Sequence, residues 1–226
     1  HYPLRRQRQM CIRDSINRSP IGPCALISPW NLPLYILTWK IAPCLAAGNT
    51  AICKPSEMTP MTAYLFSQMI NEAGLPPGTI NIIHGTGAKT GNALIKHPDV
   101  PVISFTGGTA TGGHIAKEVG PLFKKTSFEL GGKNPNIIFA DCDFEKALST
   151  SIKSSFLNQG EICLCGSRIF VEESLYDKFV ERFVEETEKL QVGSPFEKGT
   201  FVGALVSKPH LDKVKSYVEL AKEEGG

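Results

Sequence analysis

The sequence predicts an α/β protein with an open parallel sheet, followed by part of a second α/β unit. Three observations predict it. From residue 21 to residue 130, short runs rich in Ile, Val and Cys alternate with longer segments of helical character. Such alternation marks βαβ units and a parallel sheet covered on both faces. Glycine and proline cluster just after the strand-like runs, at 29–33, 85–87 and 107–112, so the strand-to-helix turns are clearly marked. After Gly132 a new strand, helix, loop and strand series begins. The chain therefore divides into a unit over 19–130 and a second over 131–226.

The first strand, 21–27, is an almost unbroken apolar run, as a strand buried on both faces requires. Pro29 and Pro33 block any ladder, so 28–33 is a loop. Residues 34–47 are apolar enough for a buried helix, loosened at Pro43 and closed by Gly48. The second strand is 50–54. Thr59 and Pro60 offer an N-cap and a first-turn proline for a helix to about residue 73, stopped by Gly74 and Pro76. Strands at 79–84 and 102–105 follow, separated by a short helix ending near 96. The latter strand opens into a glycine-rich loop, 106–112, and a helix to about 119. Residues 125–130 form the fifth strand.

In the second unit, 136–139 reads as strand, 143–157 as helix, 158–167 as irregular loop and 168–171 as strand. Ser174 is placed to cap an amphipathic helix to about 190, with Leu175, Phe179, Phe183 and Leu190 near one face. A loop over 193–203 and a helix over 211–224 follow. A βα unit with no next strand reads as unfinished.

Composition narrows the function classes. The 226 residues suffice for one large domain or two small ones. No apolar run reaches the roughly 18 residues of a membrane span. Residues 1–18 carry five arginines and one acid, which leaves the remainder at −2 against a total of +2. The charge therefore gives no sign of a nucleic-acid partner. Seven cysteines, odd in number and irregularly spaced, argue for reduced thiols in a cytosol-like compartment rather than a disulfide framework. Only Cys163 and Cys165 lie close together, and no second pair completes a zinc site, so no metal is expected. The basic stretch 1–18 lacks the apolar segment of a secretory signal. It reads as a non-native or cloning-derived extension in preference to a mitochondrial presequence.

In an open parallel sheet, ligands bind beyond the carboxyl ends of the strands. Asn31, Lys54, Glu57, Gly85, Gly107 and Glu129 follow or end strands and are expected to gather there. Gly85-x-Gly87-x-x-x-Gly91 is one residue longer than the dinucleotide fingerprint, and Gly107 to Gly112 lacks the Lys-Ser/Thr of a phosphate loop. Either alone could be an ordinary turn. Two such turns after neighbouring strands present N–H groups and a positive dipole end to phosphate. Lys54 and Glu57 either hold a ribose, the carboxylate repelling a 2′-phosphate, or form a solvated surface pair. The stretch Asn158-Gln159-Gly160-Glu161-Ile162-Cys163-Leu164-Cys165-Gly166-Ser167-Arg168 places Cys163 on a loop at the mouth of a strand, where a nucleophile could meet a carbonyl. Read alone, both cysteines are as readily small buried apolar residues, the usual fate of free cysteine.

Taken together, Pro29-Trp30-Asn31-Leu32-Pro33, Lys54-Pro55-Ser56-Glu57, Phe105-Thr106-Gly107, Glu129-Leu130-Gly131-Gly132-Lys133-Asn134-Pro135 and the cysteine stretch resemble the aldehyde dehydrogenase superfamily in order and spacing. Within it, the Gly160 to Cys165 segment is most similar to the 2-aminomuconic and 2-hydroxymuconic semialdehyde dehydrogenases. The resemblance implies a Rossmann-like cofactor domain over 19–130, a catalytic domain over 131–226, NAD as cofactor, a small-molecule aldehyde as substrate and a cytoplasmic homo-oligomer. It implies Cys163 as nucleophile, Glu129 as general base and Asn31 as oxyanion donor beside the Cys163 N–H. Lys54 and Glu57 match the adenine-ribose site, and Trp30, Phe105, Thr106, Gly107 and Gly108 the cofactor cleft, with Gly85 and Gly87 on the neighbouring turn. Gly108 stands where much of the family has a serine. The family chain is roughly twice as long, so the sequence reads as an internal fragment. Oxidation of a semialdehyde to its acid is the first expectation; a catalytically inactive nucleotide-binding fragment and a CoA-acylating dehydrogenase are the alternatives.

Overall fold

A computed structural model describes residues 19–226; the extension expected over 1–18 lies outside the described residues. Two parallel sheets form. The larger contains β1 (Pro23–Ile27), β2 (Thr50–Lys54), β3 (Ile80–Ile82), β4 (Val102–Gly107) and β5 (Lys125–Leu130), in the order β3-β2-β1-β4-β5. The smaller pairs β6 (Pro135–Ile138) with β7 (Arg168–Val171). The helices are α1 (Pro33–Ala46), α2 (Met61–Glu72), α3 (Asn92–Lys96), α4 (Thr109–Val119), α5 (Phe144–Phe156), α6 (Tyr176–Glu188) and α7 (Lys208–Glu223).

The register aligns the strand ends. Ile27 lies opposite Lys54 on one side and Phe105 on the other. Phe105 lies opposite Phe128, and Thr106 opposite Glu129. The carboxyl ends of β1, β2, β4 and β5 are therefore level. The chain leaves β1 to one side through β2 and returns to its other side through β4, which makes the β1–β4 boundary the switch point where a crevice opens.

The larger sheet is covered on both faces, as the unbroken apolar runs require. Ala25, Ile27, Ile103 and Phe105 pack on one face with Leu94, Ile95, Ile115 and Val119 of the α3–α4 layer. Cys24, Leu26, Ala51 and Cys53 pack on the other with Leu37, Ile41, Cys44 and Ala63 of α1 and α2. A third core joins Ile138, Leu148, Ile152 and Phe179 around the smaller sheet. Each buried Leu, Ile or Phe contributes roughly 1.5–3 kcal/mol.

The structure corrects several local expectations. Thr59 is not a cap: Pro60 occupies the N-cap of α2, and the Thr59 hydroxyl is buried without a partner among the described residues. Ser174 does not cap α6 either; its hydroxyl donates to Glu172, and Leu175 is the N-cap. The glycine-rich loop is shorter than expected, because α4 begins at Thr109. The segment after β3 coils as a wide π-type turn, Gly87–Gly91, before α3. The last helix starts at Lys208 rather than 211: Ser207 accepts from the His210 N–H, and Pro209 sits in the first turn, where a missing N–H does no harm.

Candidate active site

Beyond the ends of β1, β2 and β4 lies a cavity of about 640 Å³ bounded by Trp30, Lys54, Glu57, Gly87, Phe105, Thr106, Gly107 and Gly108. Lys54 is buried and donates from Nζ to Glu57 Oε2 (2.9 Å) and to the Pro55 carbonyl (3.1 Å). The Gly87 N–H donates to Glu57 Oε1 (3.2 Å). Burial works against charge on Glu57, but the Lys54 and Gly87 hydrogen bonds outweigh it and hold the carboxyl below its usual range. Gly107 is required by contact, since a Cβ there would come 2.5 Å from Phe105 Cζ. Gly108 is the N-cap of α4 and makes no side-chain cap bond, which leaves first-turn N–H groups of an eleven-residue helix facing the cavity mouth. Gly85 does not line this cavity. It borders a neighbouring pocket of about 370 Å³ with Tyr64 and His84, which shares Glu57 with the first cavity, and its φ of 141° serves the turn.

A second cavity, of about 490 Å³, is lined by Trp39, Lys40, Ser104, Thr106, Glu129 and Cys163. Thr106, near the end of β4, is a wall of both cavities. Cys163 and Glu129, 34 positions apart in sequence, thus share one space. Sequence reasoning missed Lys40. It is buried, donates to Ser104 Oγ (2.8 Å), and burial lowers its pKa to about 8 against the opposing pull of Glu129. The available signal was that Lys40 is the sole charge within the apolar α1.

The cysteine loop departs from regular structure. Asn158, Gln159 and Gly160 have φ of 51°, 58° and 72°, three successive left-handed residues. Two of them are not glycine, and such strain persists only where surroundings over-determine it. Those surroundings are polar. Asn158 Nδ2 donates to the Asn31 carbonyl (2.8 Å), and Asn31 Nδ2 donates to the Glu161 carbonyl (2.6 Å). Asn134 Nδ2 donates to the carbonyls of Cys163 (2.7 Å) and Cys165 (3.1 Å). The structure thereby brings Asn31 against the loop, and one N–H of its amide remains after the Glu161 bond. The Cys163 N–H has no acceptor among the described residues. Cys163 is half-buried on the cavity wall, whereas Cys165 is buried off it. Burial pushes the core thiols Cys44 and Cys53 up to about 12, which makes them poor nucleophiles. Among the described residues no cluster suited to a metal is present, and no helix is long and apolar enough to cross a membrane.

A model of the aldehyde dehydrogenase family matches residues 5–226. The chain is 58% identical over 215 residues to a 2-aminomuconic semialdehyde dehydrogenase of Danio rerio, covering 95% of this chain and 44% of that protein. It is 50% identical to the 5-carboxymethyl-2-hydroxymuconate semialdehyde dehydrogenase of Escherichia coli, covering 91% and 43%. Among solved structures it matches betaine aldehyde dehydrogenase from Staphylococcus aureus in complex with NAD+, with a TM-score of 0.89, 42% identity, and coverage of 91% and 41%. The chain spans less than half the length of the curated relatives it matches.

Proposed function

Since this chain belongs to the aldehyde dehydrogenase family, we propose that the protein carrying it oxidises an aldehyde, in particular a semialdehyde, to the carboxylic acid with NAD. The observation that carries this reading is a pair of cavities that share Thr106 as a wall, one lined by Lys54 and Glu57, the other by Cys163 and Glu129. Bound NAD would supply a hydride acceptor. Its fit rests on three features: a Glu57 carboxylate that would accept from ribose hydroxyls, a glycine turn at a helix N-terminus that would hold the pyrophosphate, and Trp30 on the wall.

The chain's own residues then act in order. The Cys163 thiolate attacks the aldehyde carbon, a C–S bond forms, and the carbonyl π pair moves onto oxygen. The resulting oxyanion is held by the Asn31 amide and the Cys163 N–H, each donor contributing roughly 3–4 kcal/mol. Loss of hydride from the same carbon leaves a thioester on Cys163. Glu129 takes a proton from water as its oxygen attacks the thioester carbon; the C–S bond breaks, and the acid and the thiolate separate. We assign 19–130 to the NAD-binding unit and 131–226 to the catalytic unit, and infer a reducing, cytosol-like compartment and a homo-oligomer.

The test is NADH formation by the complete protein with NAD and a panel of aldehydes that includes muconic semialdehydes. Cys163→Ala should abolish it and Cys165→Ala should not; the reverse pattern refutes the assignment. Glu129→Gln should leave a first turnover and slow those that follow. Turnover that requires CoA would replace the hydrolytic reading with the acylating one.

A further inference from the structure

The side chain of Glu161 and the ring of His210 form a pair that the proposed reaction sequence does not use. His210 Nε2 and Glu161 Oε1 are 2.6 Å apart, and both side chains are largely buried. With the carboxylate ionised, His210 Nε2–H is the donor and Glu161 accepts. Burial raises the Glu161 pKa, and the His210 bond opposes that rise. The His210 ring also meets Trp30 edge-on, with centroids 5.0 Å apart.

These contacts close a circuit. Trp30 is bonded in sequence to Asn31. Asn31 Nδ2 donates to the Glu161 backbone carbonyl, Glu161 holds His210 through its side chain, and His210 returns to Trp30. Glu161 stands two residues before Cys163. Among the described residues, the His210–Glu161 bond is the one side-chain hydrogen bond joining α7 to another element, and α7 has no fully buried residue. His210, 49 positions from Glu161, thus touches both Trp30, the residue before Asn31, and Glu161, whose carbonyl accepts from the Asn31 amide.

We propose that His210 is a positioning residue: through Glu161 and Trp30 it fixes the Asn31 amide relative to Cys163. The inference rests on the assignment of Asn31 and Cys163 made under Proposed function. His210 lines neither of the two cavities. It acts by restricting the Glu161 peptide and the Trp30 ring, which together set where the free N–H of Asn31 points. An oxyanion donor displaced by about 1 Å loses much of its effect, because its advantage is preorganisation.

The experiment measures steady-state kinetics and Cys163 labelling in the complete protein. His210→Ala should lower kcat about tenfold, with KM for NAD changed by no more than about twofold. His210→Gln, whose amide can still donate to Glu161, should recover most of the loss. In an Asn31→Ala background, His210→Ala should cost no more than about twofold further, because the group it positions is gone. An unchanged kcat in His210→Ala, an undiminished loss in the Asn31→Ala background, or no recovery with His210→Gln overturns the proposal. The labelling arm needs no aldehyde turnover. The rate of Cys163 alkylation by iodoacetamide, read by mass spectrometry, should change severalfold in His210→Ala and return in His210→Gln. A wild-type protein that labels normally but forms no NADH with any aldehyde would sink the functional reading alone. Equal labelling rates in all three proteins would sink the positioning role alone.

Discussion

Lys40 shows how one side chain takes its character from elements remote in sequence. It is flanked in α1 by Trp39 and Ile41, and its amine reaches Ser104 on β4 while Glu129 on β5 lies in the same cavity. Its pKa of about 8 lies below the ordinary 10.5 because burial disfavours the ammonium. The unfolded chain therefore binds this proton more tightly than the folded one, so this group makes stability rise with pH between about 8 and 10.5. Cys44 and Cys53 act oppositely: burial raises both from 9.0 to about 12, so their contribution falls as pH climbs above 9. Lys40→Met isolates the lysine. Relative to wild type, the variant should gain on the order of 1 kcal/mol near neutral pH and lose that advantage towards pH ~10. Urea titrations of both proteins at the two pH values measure it, and a pH-independent difference would show that Lys40 is not the source. The sequence shows a lone charge in an apolar helix; it cannot show the desolvation, which depends on β4 and β5 coming alongside.

At the scale of elements, legibility followed local signals. Residues 50–54, 125–130 and 168–171 were readable as strands to the residue; Pro55 ends the first, Gly131-Gly132 the second, and Gly166 precedes the third. The caps at Thr59 and Ser174 were misread, since a capping residue type says nothing about where its hydroxyl points once Pro60 or a 3₁₀ turn enters first. The left-handed run at 158–160 was only half legible: Gly160 advertises it, whereas Asn158 and Gln159 are held there by bonds and packing from elsewhere. Two glycine substitutions separate these cases. Gly160→Ala puts a Cβ 2.7 Å from the Ser155 carbonyl at φ 72°, which should cost about 1–3 kcal/mol and alter Cys163 alkylation. Gly108→Ser meets nothing within 4 Å at φ −70° and should leave stability within about 0.5 kcal/mol. Thermal denaturation of the pair decides; equal losses would mean that the cysteine loop is not strained in the way described.

For the molecule as a whole, the question is whether the two cavities stand or fall together. The five-stranded sheet holds two cores of its own, and the two-stranded sheet holds a third around Ile138, Leu148, Ile152 and Phe179. Hydrogen bonds between the two units run through the cysteine loop: Asn31 to Glu161 and Asn158 to Asn31. None involves Lys54, Glu57 or Gly87, whose bonds lie within the first unit. A defect in the third core should therefore reach Cys163 and stop short of the cofactor cavity. Phe179→Ala empties a site that stacks on Phe183 and meets Phe144 edge-on, a loss of about 3–5 kcal/mol. It should speed Cys163 alkylation in the complete protein while NAD affinity by calorimetry changes by less than about threefold. Ile103→Ala, near the start of β4 and fully buried, should cost about 2–5 kcal/mol and weaken NAD binding first. If both variants lose NAD affinity in parallel, the boundary at 130/131 does not divide the protein energetically, and the cavities are features of a single cooperative unit. If they separate, the chemistry at Cys163 depends on a core that the cofactor site does not use, with the Asn31–Glu161 contact as the joint between them.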